Sequence, residues 1–489
     1  MDQGRTEAER RAALIGNLNR EMVSKRIGRR AFARRGVGLG LSASALAAAA
    51  SGAFAHQSTP AASPAASPIA SPGASPVAIG EQLDLANLSP GIPEPTSPVT
   101  ITFMSWVGES DTMQALRTQF QEIHPNITVN FETTVAESNS DQLTTRIAGG
   151  NPPDTAFVDQ SAVVDFASRN ALLDLGPYAE QSAAVVVDDY VQAFLDAALW
   201  ESRLYGLPFD GETTGLFYRT DLFEAAGIAA APTTWEEFEA AAQALTNTDA
   251  RTYGFITFAT EAAYYWYPWL WQNNGNLLSE DGTQIAFNTP EGVEAAEFYV
   301  RLAQYSPADY LSSNSYDGRI AFAEGQVAMY VAGAWFAGVM MDEFPGITGR
   351  WSAAPLPERQ RCATTVAGDT LVIPATSQNH DTAWKWIEFL SAPQNLAIWT
   401  VGTPDNPSTL LPPRESLLND PAIFQNVPVL EGFAQQMECG VTNAAPNPRY
   451  GEVESLLNDA LGRAIYGEVD AATALEEAAS EGQAILDEG

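Results

Sequence analysis

The chain has 489 residues. That is too long for one ordinary domain and leaves room for two lobes with cores of their own once the non-globular N-terminus is set aside. Ten of its 25 Lys and Arg residues fall before residue 36 beside four acids, so the rest carries 15 basic and 56 acidic residues, a net charge of −41. Such a field repels phosphate backbones, which argues against nucleic acid as a partner, and an anionic solute would need a locally basic pocket.

In chain order, Arg29-Arg30-Ala31-Phe32 precedes an uncharged, weakly apolar run from Gly36 to Ala50 and then Ala53-Phe54-Ala55 before His56. A basic region, a short apolar region and an A-x-A site form the layout of a secretory signal, here residues 1–55. The apolar run is short of the ~20 residues that span a bilayer, which argues against an uncleaved anchor. The paired arginines resemble a twin-arginine signal. Ser-Pro steps at 63–64, 67–68, 71–72 and 75–76 and further prolines to Pro98 cannot build a core, so residues 56–98 read as an extended linker and the folded body is expected from Val99. No later run is apolar for 18 residues, so the body is expected to be soluble, in the periplasm or on the outer side of the cytoplasmic membrane. Position 56 is His and no Cys precedes residue 362, so no lipid-anchoring cysteine marks the signal junction. In an oxidising compartment the two cysteines, Cys362 and Cys439, suit one disulfide, the alternative being two separate buried thiols.

Within the body Val99 to Phe103 alternates as a strand, Met113, Leu116, Phe120 and Ile123 recur at helical spacing, and Ile127, Val129 and Phe131 alternate again. Strand, helix, strand implies a right-handed parallel crossover. Thr155 to Val158 is a candidate next strand, ending at Asp159 where open α/β sheets place ligand-contacting loops. A short helix starts at Asp221 and stops at Gly227, and Thr234 with Glu237 has capping-box spacing for another, the carboxylate reaching back to the cap. Val453, Leu456, Leu457, Ala460, Leu461, Ala464 and Ile465 form one apolar stripe of a long helix near the C-terminus. The fold class is α/β.

Four segments carry a family resemblance. Leu207-Pro-Phe-Asp-Gly-Glu-Thr-Thr-Gly-Leu-Phe-Tyr-Arg through Gly227, followed by Pro232-Thr-Thr-Trp-Glu-Glu-Phe238, resembles the signature of extracellular solute-binding proteins of the maltose-binding type. Phe322-Ala-Glu-Gly-Gln-Val-Ala-Met through Trp335, Ala383 to Leu390 with Pro393-Gln394, and the terminal helices Val453–Ile465 and Ala472–Leu486 are similar to later family segments in the same order. The resemblance implies a two-lobed periplasmic-binding-protein-like fold of type II, each lobe a mostly parallel sheet flanked by helices and joined by hinge crossings. Carried onto this chain, the crossings lie near Asp210–Thr213, Gly368–Leu371 and Leu410–Pro413. One lobe is then 99–210 plus 371–411, the other 211–370 plus 412–489. It also implies a monomer that binds a small-molecule solute, a carbohydrate, and delivers it to the membrane permease of an ABC transporter, without a cofactor or metal.

A sugar offers hydroxyls that need paired donors and acceptors, and apolar faces that pack on flat rings. Tyr264, Tyr265 and Trp266 open the densest aromatic run and match the family's second-lobe binding segment, one or two of them expected to stack on solute. Trp335 matches its stacking tryptophan. Trp106 follows the first strand, and Asp159 ends a strand as a ligand or as a helix cap. Asp210, Glu212 and Asp369 fall at the crossings, where either ligand or hinge hydrogen bonding would suit them, and Arg414 and Arg449 carry forked donors for a solute or, equally, for a surface or interlobe salt bridge. Catalytic signals are weak: His56, His124 and His380 are scattered, and no H-E-x-x-H, G-x-S-x-G or phosphate-loop motif occurs. An enzyme is therefore not expected. A secreted carbohydrate-active hydrolase needs only two carboxylates and stands as the alternative in another class, beside a binding protein that feeds a signalling receptor.

Overall fold

The computed structural model describes residues 82–307, 318–403, 406–425 and 427–488. The signal segment and residues 56–81 of the expected linker lie outside the described residues. Strand β1 (Val99–Ser105) runs parallel to β2 (Ile127–Thr133) over its whole length and to β3 (Thr155–Asp159) through Phe103 and Met104. Helix α1 (Asp111–Ile123) makes the crossover and buries Met113, Leu116 and Phe120, its first turn capped by Ser110. The apolar spacing thus translates directly into the buried face.

The second half of the sheet is built on two long strands. β4 (Leu207–Arg219) precedes α2 (Trp235–Leu245) and α3 (Ala262–Gln272), and β5 (Met329–Gly333) turns directly into α4 (Trp335–Glu343). β6 (Trp351–Ala354) and β7 (Thr364–Val372) follow, then α5 (His380–Leu390), α6 (Pro393–Thr400), β8 (Gly440–Thr442) and the closing pair α7 (Tyr450–Ile465) and α8 (Ala471–Asp487). The sheet order is β2-β1-β3-β7-β4-β5, with β6 on β4 and β8 on β7. β7 pairs with β3 at its C-terminal end and with β8 at its N-terminal end, so it and β4 belong to both halves of the sheet. The result is the two-lobed α/β architecture.

The strands meet at a glycine pair. Gly211 is opposite Gly368 and also bridges Leu411, exchanging backbone hydrogen bonds of 2.9 and 2.7 Å with it. A Cβ on Gly368 would lie 2.2 Å from the Asp210 carbonyl oxygen, and one on Gly211 2.0 Å from the Phe194 ring. Gly368→Ala is therefore expected to lower unfolding free energy by roughly 1–3 kcal/mol, because backbone must shift to admit the methyl group. Urea titration checks it, an unchanged midpoint refuting the close approach.

Two expectations need correction. The body begins before Val99: Leu88 and Ile92 are buried, Ser89 Oγ donates to Glu388 at 2.5 Å, and Glu94 pairs with Lys385 at 2.9 Å and His124 at 3.0 Å. Burial pushes the Glu94 carboxyl up, but Lys385 and His124 outweigh it and hold the pKa below its usual value. The capping box also closes one residue early. Glu237 N–H donates to Thr234 Oγ1 at 3.2 Å, while the Glu237 carboxylate accepts from Thr233, N–H and hydroxyl both at 2.8 Å.

Candidate functional site

β3, β7 and β4 lie side by side, and their registers set three aspartates in one row, Asp159 opposite Asp369 and Asp369 opposite Asp210. Directly opposed residues of an antiparallel pair share a face, with Cβ atoms about 4.5–5.5 Å apart. Exposure falls along the row, from exposed Asp159 through half-buried Asp369 to Asp210, which is 2% exposed. Asp159 Oδ1 accepts from Ser161 N–H at 2.8 Å and from its hydroxyl at 2.5 Å, so it caps the following turn. At the inner end, Asp210 Oδ2 accepts from Trp399 Nε1 at 2.5 Å, and the Trp399 ring stacks on Phe209 with centroids 5.4 Å apart.

Beyond the row stands Glu212. Its Oε1 accepts from the Tyr264 hydroxyl at 3.1 Å, and the Trp335 backbone N–H also donates to this carboxylate. Gly333 makes the room, since a Cβ there would fall 1.8 Å from Glu212 Oε2. Trp335 follows, half-buried at the start of α4, with its ring edge-on to Phe336. The Tyr264 hydroxyl and the Trp335 backbone therefore converge on the Glu212 carboxylate where β5 ends.

Burial pushes the Glu212 carboxyl up to about 8, against the Tyr264 hydrogen bond that favours its charged form. Burial also raises Asp210 to about 6, with Trp399 opposing, and lifts Asp369 well above the usual carboxylate range with Asp210 adding to the effect. The exposed Asp159 is raised as well, by desolvation, with the two Ser161 hydrogen bonds opposing. Among the ion pairs of the described residues none involves these four carboxyls. They do not converge on a cation either: no group of His, Cys, Asp and Glu among the described residues is arranged to hold a metal ion.

The other candidates separate. Trp106 is half-buried beside the cluster's first strand, its ring 4.6 Å from Phe157. Tyr265 is 7% exposed and stacked on Phe258 at 3.8 Å, and Trp266 is fully buried, so neither offers a ring face to a solute. The reason is that α3 is buried on nearly every side, leaving Tyr264 as its half-buried residue. Arg414 is 4% exposed, donating to Asp189 at 2.6 Å and to the Ala184 carbonyl at 2.8 Å. Arg449 ties α7 to α8 through Glu452 and the Ile485 carbonyl. Both arginines are thus structural. Sequence reasoning missed Trp399, which carries no local signal; Gln160, beside Asp159 in the strand-end stretch, donates its Nε2 to the Val366 carbonyl at 2.9 Å and to Asn443 at 2.8 Å.

The model of the bacterial extracellular solute-binding protein family matches residues 106–397, more than half of the chain. The chain belongs to that family. This solute-binding protein is 25% identical over 287 residues to the lactose-binding protein of Rhizobium radiobacter, covering 55% of this chain and 63% of that one. Among solved structures it resembles an ABC transporter solute-binding protein of Thermotoga lettingae bound with α-D-tagatose, at 27% identity and a TM-score of 0.71, over 80% of this chain and 100% of that one. The sugar-binding protein MalE of Xanthomonas citri is similar at 26% identity and a TM-score of 0.69, over 80% and 98% of the two chains. No helix of the described residues is long and apolar enough to cross a membrane.

Proposed function

We propose that this solute-binding protein captures a carbohydrate between its lobes outside the cytoplasm and delivers it to the permease of an ABC importer, without turning it over. The observation that carries this reading is that the half-buried Tyr264 and Trp335 both reach Glu212, Tyr264 through its hydroxyl and Trp335 through its backbone N–H, on the strand that carries Asp210 of the aspartate row. Rings cover the apolar face of a sugar while carboxylates accept from its hydroxyls. The names of the lactose-binding and tagatose-bound relatives support the same solute class. Export through the N-terminal signal and monomeric action belong to this proposal. Asp159 serves here as both turn cap and hydroxyl acceptor.

The test is calorimetric titration with lactose, maltose, D-tagatose and mannitol. Binding of at least one with its recovery unchanged is expected, and Trp335→Ala should weaken it about 5- to 150-fold, the equivalent of roughly 1–3 kcal/mol for a lost stacking ring. Hydrolysis of a panel member, or full affinity in Trp335→Ala, overturns the reading.

A further inference from the structure

The aspartate row poses a problem that solute binding does not solve. Like charges directly opposite each other across paired strands repel, and here three carboxyls are aligned over three neighbouring strands with no cation in the group. Asp210 can shed little of its charge to solvent, being 2% exposed, and its one indole donor comes from Trp399. Asp210 stands directly opposite Asp369, and Asp369 opposite Asp159, so the three carboxyls share one face of the sheet on neighbouring strands. Carboxyls set opposite each other, with the innermost out of solvent and no cation beside them, are relieved of repulsion when one carries a proton.

We propose that the Asp159–Asp369–Asp210 row, with Glu212 beside it, is a proton-held clasp on the strand crossing: a proton held in the row lets β3, β7 and β4 stay paired side by side, and its loss loosens them. That the crossing governs a solute cleft rests on the function proposed above; the clasp itself does not. The groups facing the row are Asp159 from β3, Asp369 from β7, Asp210 and Glu212 from β4, Tyr264 from α3 and the Trp399 indole from α6. Glu454 of α7 also feels the Asp159 charge. All of the ionisable members are acids or a phenol, so no neighbour compensates a second negative charge.

The sign follows from the directions of the shifts. Burial raises these carboxyls, so the folded protein holds their protons more tightly than the unfolded chain does. Their contribution is fully present below the ordinary carboxylate range and is lost as pH rises, through about 6 for Asp210 and about 8 for Glu212. In that window each proton released lowers the folding equilibrium constant by up to about tenfold per pH unit.

Two ligand-free measurements on the full chain decide it. A carboxyl-carbon NMR titration should show at least one Asp midpoint above pH 6 that disappears in Asp369→Asn. Urea unfolding between pH 5 and pH 8.5 should show the wild-type folding constant falling more steeply than that of Asp369→Asn or of Asp210→Asn, whose amide oxygen can still accept from Trp399. Two substitutions guard against one that fails to fold. Midpoints for all four carboxyls below pH 5, or pH profiles of both variants parallel to the wild type, overturn the clasp. A sugar panel that fails to bind while these results hold would instead defeat only the carbohydrate reading.

Discussion

Trp266→Ala should destabilise this solute-binding protein by about 3–5 kcal/mol, the usual loss when a large buried ring is truncated, and should leave the sugar affinity of the folded molecules intact. Trp266 has no exposed surface and stands in a helix whose other aromatic side chains, apart from Tyr264, are buried with it. Its indole N–H finds no acceptor, so Trp266→Phe removes volume without orphaning a partner and should cost much less. Trp335→Ala should do the reverse, lowering affinity with a smaller effect on stability, since its ring is already half-buried only. Denaturation midpoints and calorimetric titration on the same three variants check the contrast. Equal stability of Trp266→Ala and wild type would mean that α3 is not the core helix described here.

That contrast marks how far the sequence could be read. Period-2 and period-3.6 patterns located the starts of β1 and β2 and the body of α1, because α1 and β2 bury one face more than the other and β1 alternates up to Phe103, before Met104 and Ser105 are buried as well. The run from Tyr264 to Trp271 lacks such asymmetry: in a helix buried all round, spacing cannot rank one ring above another. Family segments singled out Trp335, Glu212 and the crossing aspartates, but said nothing of their registry. The arginines, open between solute contact and salt bridge, were undecided for a different reason. Arg414 is settled by Asp189, 225 positions away, and no local pattern announces a partner at that distance. Residues 82–98 were lost to composition, since Pro-rich sequence can still bury a Leu88 or an Ile92 when a folded surface is there to receive it. The capping box was legible as a spacing, yet which backbone N–H the Glu237 carboxylate reaches depends on the approach of Thr233 to the helix.

Removing the disulfide should be comparably damaging. Cys362 and Cys439 are joined across 77 positions with Cα atoms 5.8 Å apart. A cross-link closing a loop of that length removes unfolded-state entropy worth about 4.5 kcal/mol in the chain-entropy treatment, within a common range of roughly 2–5 kcal/mol. Its position gives it a second effect. Cys362 lies just before β7 and Cys439 just before β8, and the two strands then run parallel from Gly440 opposite Thr364. The bond therefore fixes the start of the strand that carries Gly368 and Asp369 into the crossing, and of the one that leads to Asn443, where Gln160 is anchored. The double variant Cys362→Ser/Cys439→Ser should unfold at markedly lower urea, match the reduced wild-type protein, and bind sugar more weakly because the crossing strands lose a fixed end. Single variants would leave a reactive thiol and confuse the comparison. Coincident unfolding midpoints for oxidised, reduced and doubly substituted protein would show that the strand pairing, not the covalent link, holds this end of β7.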